Sequence, residues 1–249
     1  MAVHNVMVET KQDNRELILA VDTASSCSSI AVSRGGADDG TVLAELSLNS
    51  RVTHSRRLLG SIDYLLGELD IGLADLNAFS VGLGPGSFTG LRIGMATMKG
   101  LAVAAARPLV GVSTLDSLAF SCCSERLICV VLDARKKEVY SAFYQKKGNN
   151  SIKRLSPIRA LAPSQLINEI NEPVLLVGDG LTAYGDFFRE ELGEYYRSAP
   201  VNLVAPSSSA IGLLGCEMLR SGNHLDPAAS VPLYVRGSDA ELSLKKVSP

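Results

Sequence analysis

Tryptophan is absent and histidine occurs only three times, a scarcity that removes whole classes of chemistry before any motif is read. His4, His54 and His224 are far apart, so no pair has metal-ligand spacing and no Ser/His/Asp order can be assembled around them. The five cysteines (27, 122, 123, 129 and 216) include no CxxC, which leaves neither a zinc site nor a thioredoxin-like dithiol. Cys122 and Cys123 lie in an apolar stretch and read as small core residues of a reducing compartment, with the cytoplasm as the expected location. No apolar run approaches the ~20 residues that span a bilayer, so no membrane is expected as a partner. Met1–Glu16 lacks the apolar stretch of a secretory signal and reads as a disordered extension. A strong charge of either sign is also missing: the formal net charge of −2 would not by itself hold a nucleic acid. The short basic clusters Arg56–Arg57, Arg135–Lys137, Lys146–Lys147 and Lys245–Lys246 carry no interleaved aromatics and read as solvated faces.

What is present is a globular composition, 46% hydrophobic and 20% charged over 249 residues, enough for one large domain or two modest lobes. Strands are expected at 17–23, 29–33 and 42–48, a helix at 53–69, a strand at 79–83, a glycine turn at 84–90, a helix at 91–106, a strand at 109–112 and a helix at 114–123. A second pass starts at Leu127–Asp133 and continues with strands at 138–145 and 152–161, a helix at 163–171, a strand at 173–178 and helices at 181–192 and 208–220. The order three strands, helix, strand, helix therefore occurs twice, each copy opening on an apolar strand that ends in Asp. Such a repeat of element order suggests a duplicated α/β fold with a hinge near Ser124–Arg126.

The central stretch Gly82-Leu-Gly-Pro-Gly-Ser-Phe-Thr-Gly-Leu-Arg92 is not a Walker A loop, since no Lys-Ser/Thr follows the glycines, and Ser87 is not centred in GxSxG. Two readings stay open. Gly84, Gly86 and Ser87 can cradle an anion at the start of a helix capped by Thr89, or the turn can serve packing alone. Gly90 and Gly94 form a GxxxG that lets another backbone come close, beside the adaptable Met95 and Met98. In the preceding helix, Leu58, Ile62, Leu65 and Leu69 form one stripe, with Leu59 and Leu66 on another side. A helix apolar on two sides needs two things to pack against. Asp22 and Asp133 end matching strands, where they either position a metal–phosphate group or bond to their own turns; the D-x-G of actin-like sites is missing at both.

HSRRLLGSIDYLL, GLGPGSFTGLRIGMATMKGLA and PLVGVSTLDSLA, with VDTASSCSSIAV before them and LDARKKEVYSAFY after, resemble the TsaB (YeaZ) family over about 17–236. Members are accessory subunits of the bacterial tRNA threonylcarbamoyladenosine (t6A) system. The resemblance implies an actin-like (ASKHA), duplicated RNase H-like α/β fold, with lobes at 17–125 and 126–236 between the extension 1–16 and a tail 237–249. It implies a non-catalytic subunit that binds TsaD, which transfers threonylcarbamoyl to N6 of adenosine 37 in tRNAs reading ANN codons. The two positions of the TsaD metal-binding histidine pair fall here at Thr114 and Leu118, neither of which suits a metal. By resemblance the TsaD-binding surface is the first two long helices, 53–69 and 89–106. That makes His54, Leu58, Leu59, Ile62, Leu66, Thr89, Gly90, Arg92, Gly94, Met95 and Met98 the expected interface. The same surface would form a homodimer when TsaD is absent. A further partner is the ATPase TsaE, and tRNA is met through the complex. No cofactor is required, with ATP or ADP near the shared interface and Asp22, Gly84, Gly86, Ser87 and Asp133 as its weak candidates. The alternative function is an actin-like ATPase or kinase, or a glycoprotease-like peptidase.

Overall fold

The computed structural model describes residues 13–49, 54–148, 150–200 and 203–236, without the side chains of 54–56. The apolar run Leu17–Asp22 (β1) is buried at every position, as a strand covered on both faces must be. It pairs antiparallel with Cys27–Arg34 (β2), which pairs antiparallel with the edge strand Thr41–Asn49 (β3). On its other side β1 lies parallel to Ala78–Gly82 (β4), which is followed by Leu109–Val112 (β5). The order β3-β2-β1-β4-β5 recurs in the second sheet as β11-β10-β6-β7-β8 read from the far edge. Its strands are Leu127–Arg135 (β6), Glu138–Lys147 (β7), Ser151–Arg154 (β8), Val174–Val177 (β10) and Tyr196–Ser198 (β11). In both sheets the first strand is central, with the second and third on one side and the fourth and fifth on the other. The duplication expected from element order is therefore a duplication of topology, the actin-like, RNase H-like arrangement. Two local differences have local causes. The single strand expected over 152–161 is broken at Pro157 into β8 and Arg159–Leu161 (β9), both paired to β7. The three-residue β11 lacks the length to produce a pattern.

Six α-helices cover the sheets among the described residues: His54–Glu68 (α1), Phe88–Ala105 (α2), Thr114–Ser121 (α3), Pro163–Ile167 (α4), Gly180–Leu192 (α5) and Ser208–Arg220 (α6). Leu58, Ile62, Leu65 and Leu66 of α1 and Met95, Met98 and Ala102 of α2 close one face of the first sheet over Leu19, Val21, Phe79 and Val81. The other face is closed by α6, which comes close because Gly212 and Gly215 leave room for the hydroxyls of Ser33 and Ser80. The strands of the first sheet end at Val112 and those of the second begin at Leu127, but the helices do not divide at that point. Leu115, Leu118, Ala119 and Cys122 from α3 pack into the core of the second sheet. Asp116 accepts from the Tyr144 hydroxyl (2.8 Å) and from Arg154 (2.7 Å), while Lys146 Nζ donates to the last carbonyls of α3, Phe120 (3.2 Å) and Cys122 (2.8 Å). Thus α6, which follows the last strand of the second sheet, covers the first, while α3, which follows the last strand of the first sheet, packs on the second.

The extension expected over 1–16 is anchored at its end. Arg15 donates to the Asp39 carbonyl, and Arg220 on α6 clamps both Glu16 (2.7 Å) and Asp39 (2.9 Å); residues 1–12 and the tail 237–249 lie outside the described residues. The Arg220 guanidinium lowers the Glu16 carboxyl and holds that of Asp39 at about 2. Folded values below the unfolded ones (about 3.9 for Asp and 4.3 for Glu) mean a contribution fully present above them and lost as pH falls through the folded values. The melting temperature is accordingly expected to stay flat above about pH 5 and to fall toward pH 2. Arg220→Ala should flatten that fall. Equal pH profiles for parent and variant would remove the clamp from the account of acid stability.

Candidate functional site

The carboxyl ends of β1, β4 and β6 meet across a cleft of about 570 Å³ between the two sheets. Pro85 to Thr89 form one wall, Asp133 to Arg135 with Tyr140 and Asp179 the opposite wall, and Leu233–Arg236 the rim. Of the five weak nucleotide candidates, Gly86, Ser87 and Asp133 line the cleft and Asp22 and Gly84 do not. Asp22 is only 1% exposed. Its carboxylate accepts from the Ala24 amide (2.8 Å) and the Thr114 hydroxyl (2.7 Å), and Gly82 lacks a side chain where that carboxylate lies. A buried carboxylate needs such donors, and here they come from the chain itself. Asp22 is therefore corrected from candidate phosphate-site residue to a bond between β1 and α3 that packs against Gly82 of β4.

The glycine turn is engaged in the same way. The Gly84 amide donates to Thr114 Oγ1 (3.2 Å), and its carbonyl accepts from the Thr114 amide (3.0 Å). Gly84, with φ of +91°, sits in the left-handed region that a side chain would oppose. The Ser87 amide donates to the Ala24 carbonyl (2.6 Å), and the cap of α2 is Ser87, whose Oγ accepts from the Gly90 amide, rather than Thr89. The Gly84, Ser87 and Gly90 amides are thus donors within the fold, and the turn anchors α2 to the end of β1.

The expected partner face divides in two. Leu58, Ile62, Leu66, Met95 and Met98 are core residues of the first sheet, and Gly90 and Gly94 face Thr23 of the same chain, so these seven are corrected from interface to internal packing. Leu59, Thr89 and Arg92 are exposed, and the His54 side chain lies outside the described residues. On the outer sides of α1 and α2 the expected Leu59 is joined by Tyr64 and Val103, which the sequence pattern did not single out. Leu59, Tyr64 and Val103 are 57%, 59% and 67% exposed, and Gly60, Gly67 and Gly100 have open space beside them. The signal was available: once one stripe is assigned to the sheet, the residues opposite it on each helix are the only ones left for a partner.

On the second-sheet wall, Asp133 accepts from the Arg135 amide (2.8 Å) and pairs with its guanidinium (3.2 Å), while its own amide donates to Asp179 (3.0 Å). Burial pushes the Asp179 carboxyl up. Asp133 therefore bonds to its own turn, the alternative left open by the missing D-x-G, while Asp179 ties the end of β10 to β6. Arg92 stacks on the Phe88 ring (3.9 Å to its centre), Phe88 lies 4.9 Å from the Tyr234 ring, and Arg236 pairs with Glu138 (2.6 Å). Phe88, Tyr140 and Tyr234 were missed because they come from three distant segments.

A relative from Escherichia coli (strain K12), the tRNA threonylcarbamoyladenosine biosynthesis protein TsaB, is 33% identical over 90% of this chain and 96% of its own. The chain belongs to the TsaB family. The TsaB protein of Bacillus subtilis (strain 168) is similar to it at 31% identity, over 90% of this chain and 96% of that one. The family model of TsaD, the tRNA N6-adenosine threonylcarbamoyltransferase, matches residues 41–243. Among solved structures, YeaZ from Pseudomonas aeruginosa aligns at a TM-score of 0.72 and 24% identity over 88% of this chain and 99% of that one, a likeness of fold. Thr114 and Leu118, the positions expected to replace the metal ligands of TsaD, are both buried: the first bonded to Asp22 and Gly84, the second in the second-sheet core.

Proposed function

We propose that this TsaB-family chain is a cytoplasmic, non-catalytic subunit that binds TsaD and supports threonylcarbamoyl transfer to N6 of adenosine 37 in tRNAs reading ANN codons. The observation that carries the non-catalytic part is the bonding of Thr114. Its hydroxyl and amide join Asp22, Gly84 and α3 into one buried unit, which supports a structural use of the place where TsaD holds its metal. The same bonds argue against a metal–phosphate group on Asp22 and hence against the ATPase or kinase alternative. No cofactor is required in this reading, and ATP or ADP belongs near the interface shared with TsaD. TsaE joins the complex, tRNA is met through it, and the free chain forms a homodimer over the same face.

The docking surface in this reading is the outer side of α1 and α2. Exposed Leu59, Tyr64 and Val103 supply apolar area, and the open glycines among them allow a partner helix to come close. A double variant Leu59→Asp/Val103→Asp is expected to melt within a few degrees of the parent, to lose TsaD in co-purification by at least a hundredfold in affinity, and to abolish modification by the assembled system. Two charges buried without partners in an interface core account for a loss on the order of 3 kcal/mol or more. Undiminished TsaD binding would remove this face from the interface.

A further inference from the structure

The turn between β6 and β7 is built from residues that resist its geometry. Arg135 pairs with Glu138, which leaves Lys136 and Lys137 as a two-residue hairpin loop. Arg135, Lys136 and Lys137 have φ of 62°, 53° and 64°, three consecutive left-handed residues without a glycine or asparagine among them. A two-residue loop of this hand is made far more easily by Asn-Gly. Nothing in the core asks for lysine there, since all three side chains are exposed. Unfavourable backbone kept together with three like charges points to a use for the charges.

The position of the hairpin supplies that use. Arg135 lines the interlobe cleft, and Arg92 lies on the opposite wall, stacked on Phe88 beside Tyr234. Two acids of the second-sheet wall are ion-paired, Asp133 with Arg135 and Glu138 with Arg236, and Asp179 accepts the Asp133 amide. The cluster Arg135–Lys137 has no interleaved aromatics in sequence; Tyr140 follows it on β7, and the fold adds Phe88 and Tyr234 from distant segments. Cations at a mouth with aromatic faces inside are the chemistry that receives phosphates and unstacked bases of an RNA strand.

We propose that the Arg135–Lys137 hairpin, with Arg92 across the cleft, is this chain's contact with the phosphate backbone of tRNA in the assembled complex, with Phe88 and Tyr234 as the stacking faces. The proposal rests on the tRNA-modification role put forward above.

Lys136→Asn/Lys137→Gly separates charge from fold, because it relaxes the turn while removing two cations. In the complex with TsaD, an unmodified tRNA transcript is titrated from about 50 to 200 mM salt, the range over which counterion release is steep. The variant should melt higher than the parent, bind tRNA on the order of tenfold more weakly at about 0.1 M salt, and show a log–log salt slope shallower by about two. Lys136→Arg/Lys137→Arg should keep both affinity and slope. An unchanged affinity and slope in the Asn-Gly variant, or their loss in the Arg variant, would overturn the proposal. So would weakened ADP binding with tRNA binding intact, which would make the cleft a nucleotide site. Modification supported by the parent chain but indifferent to the hairpin overturns this inference alone. No modification with the parent chain overturns the role and the inference together.

Discussion

A chain carrying Met98→Glu is expected to be recovered unfolded or insoluble, whereas Val103→Glu on the same helix should melt within a few degrees of the parent. Met98 is 0% exposed and lies in the layer that joins α2 to β1 and β4; Val103 is 67% exposed on the outer side. Removing a fully buried methionine side chain alone costs about 2–5 kcal/mol. The substituted carboxylate would either stay charged without a partner or take up a proton in an apolar site, adding several kcal/mol more. The sum reaches the whole stability of an ordinary domain, about 5–15 kcal/mol. An exposed substitution with no cap, ion pair or packing role stays within about 0.5 kcal/mol. Soluble yield, circular dichroism and thermal melting check both halves. A folded Met98→Glu chain that had merely lost its partner would mean that Met98 faces TsaD after all.

Sequence legibility followed the range over which each cause acts. The central strands of both sheets could be read because a buried strand is a run of apolar residues, and such a run is local. The duplication followed from their order. The two sides of α1 were harder, since Leu59 lies only about 100° around the helix from Leu58 and about 20° from Leu66. A stripe wide enough to cover a sheet takes in Leu58, Ile62, Leu65 and Leu66 and stops before Leu59. The exchange of α3 and α6 between the sheets leaves no local trace at all. In α3, Leu115 and Leu118 have the same apolar spacing whichever sheet they cover, and the glycines of α6 that admit Ser33 and Ser80 look like ordinary weak helix positions. The cleft was legible only in part, through Gly86, Ser87 and Asp133, because its aromatic residues are brought together by the fold and not by spacing.

The glycine turn makes the sharpest case, because its residues admit opposite readings that one pair of substitutions tells apart. Gly90→Ala is expected to lower stability by about 3 kcal/mol, and Gly100→Ala to raise it by about 0.5–1 kcal/mol. A Cβ on Gly90 would overlap the carbonyl oxygen of Thr23, whose hydroxyl also donates to the Gly90 carbonyl (2.8 Å). The overlapping atom is backbone and cannot swing away, so α2 must lift from the end of β1 and carry Gly94, which faces the same threonine, with it. At Gly100 nothing lies within 4 Å, so alanine there gains helix propensity without a clash. For a chain of this size the two variants should melt about 6–12 °C below and a few degrees above the parent. If Gly90→Ala instead melts like the parent and fails only to bind TsaD, the GxxxG of α2 belongs to the partner. If it melts low, that glycine pair is what lets the helix meet its own sheet, and the surface left for TsaD is the one around Leu59 and Val103.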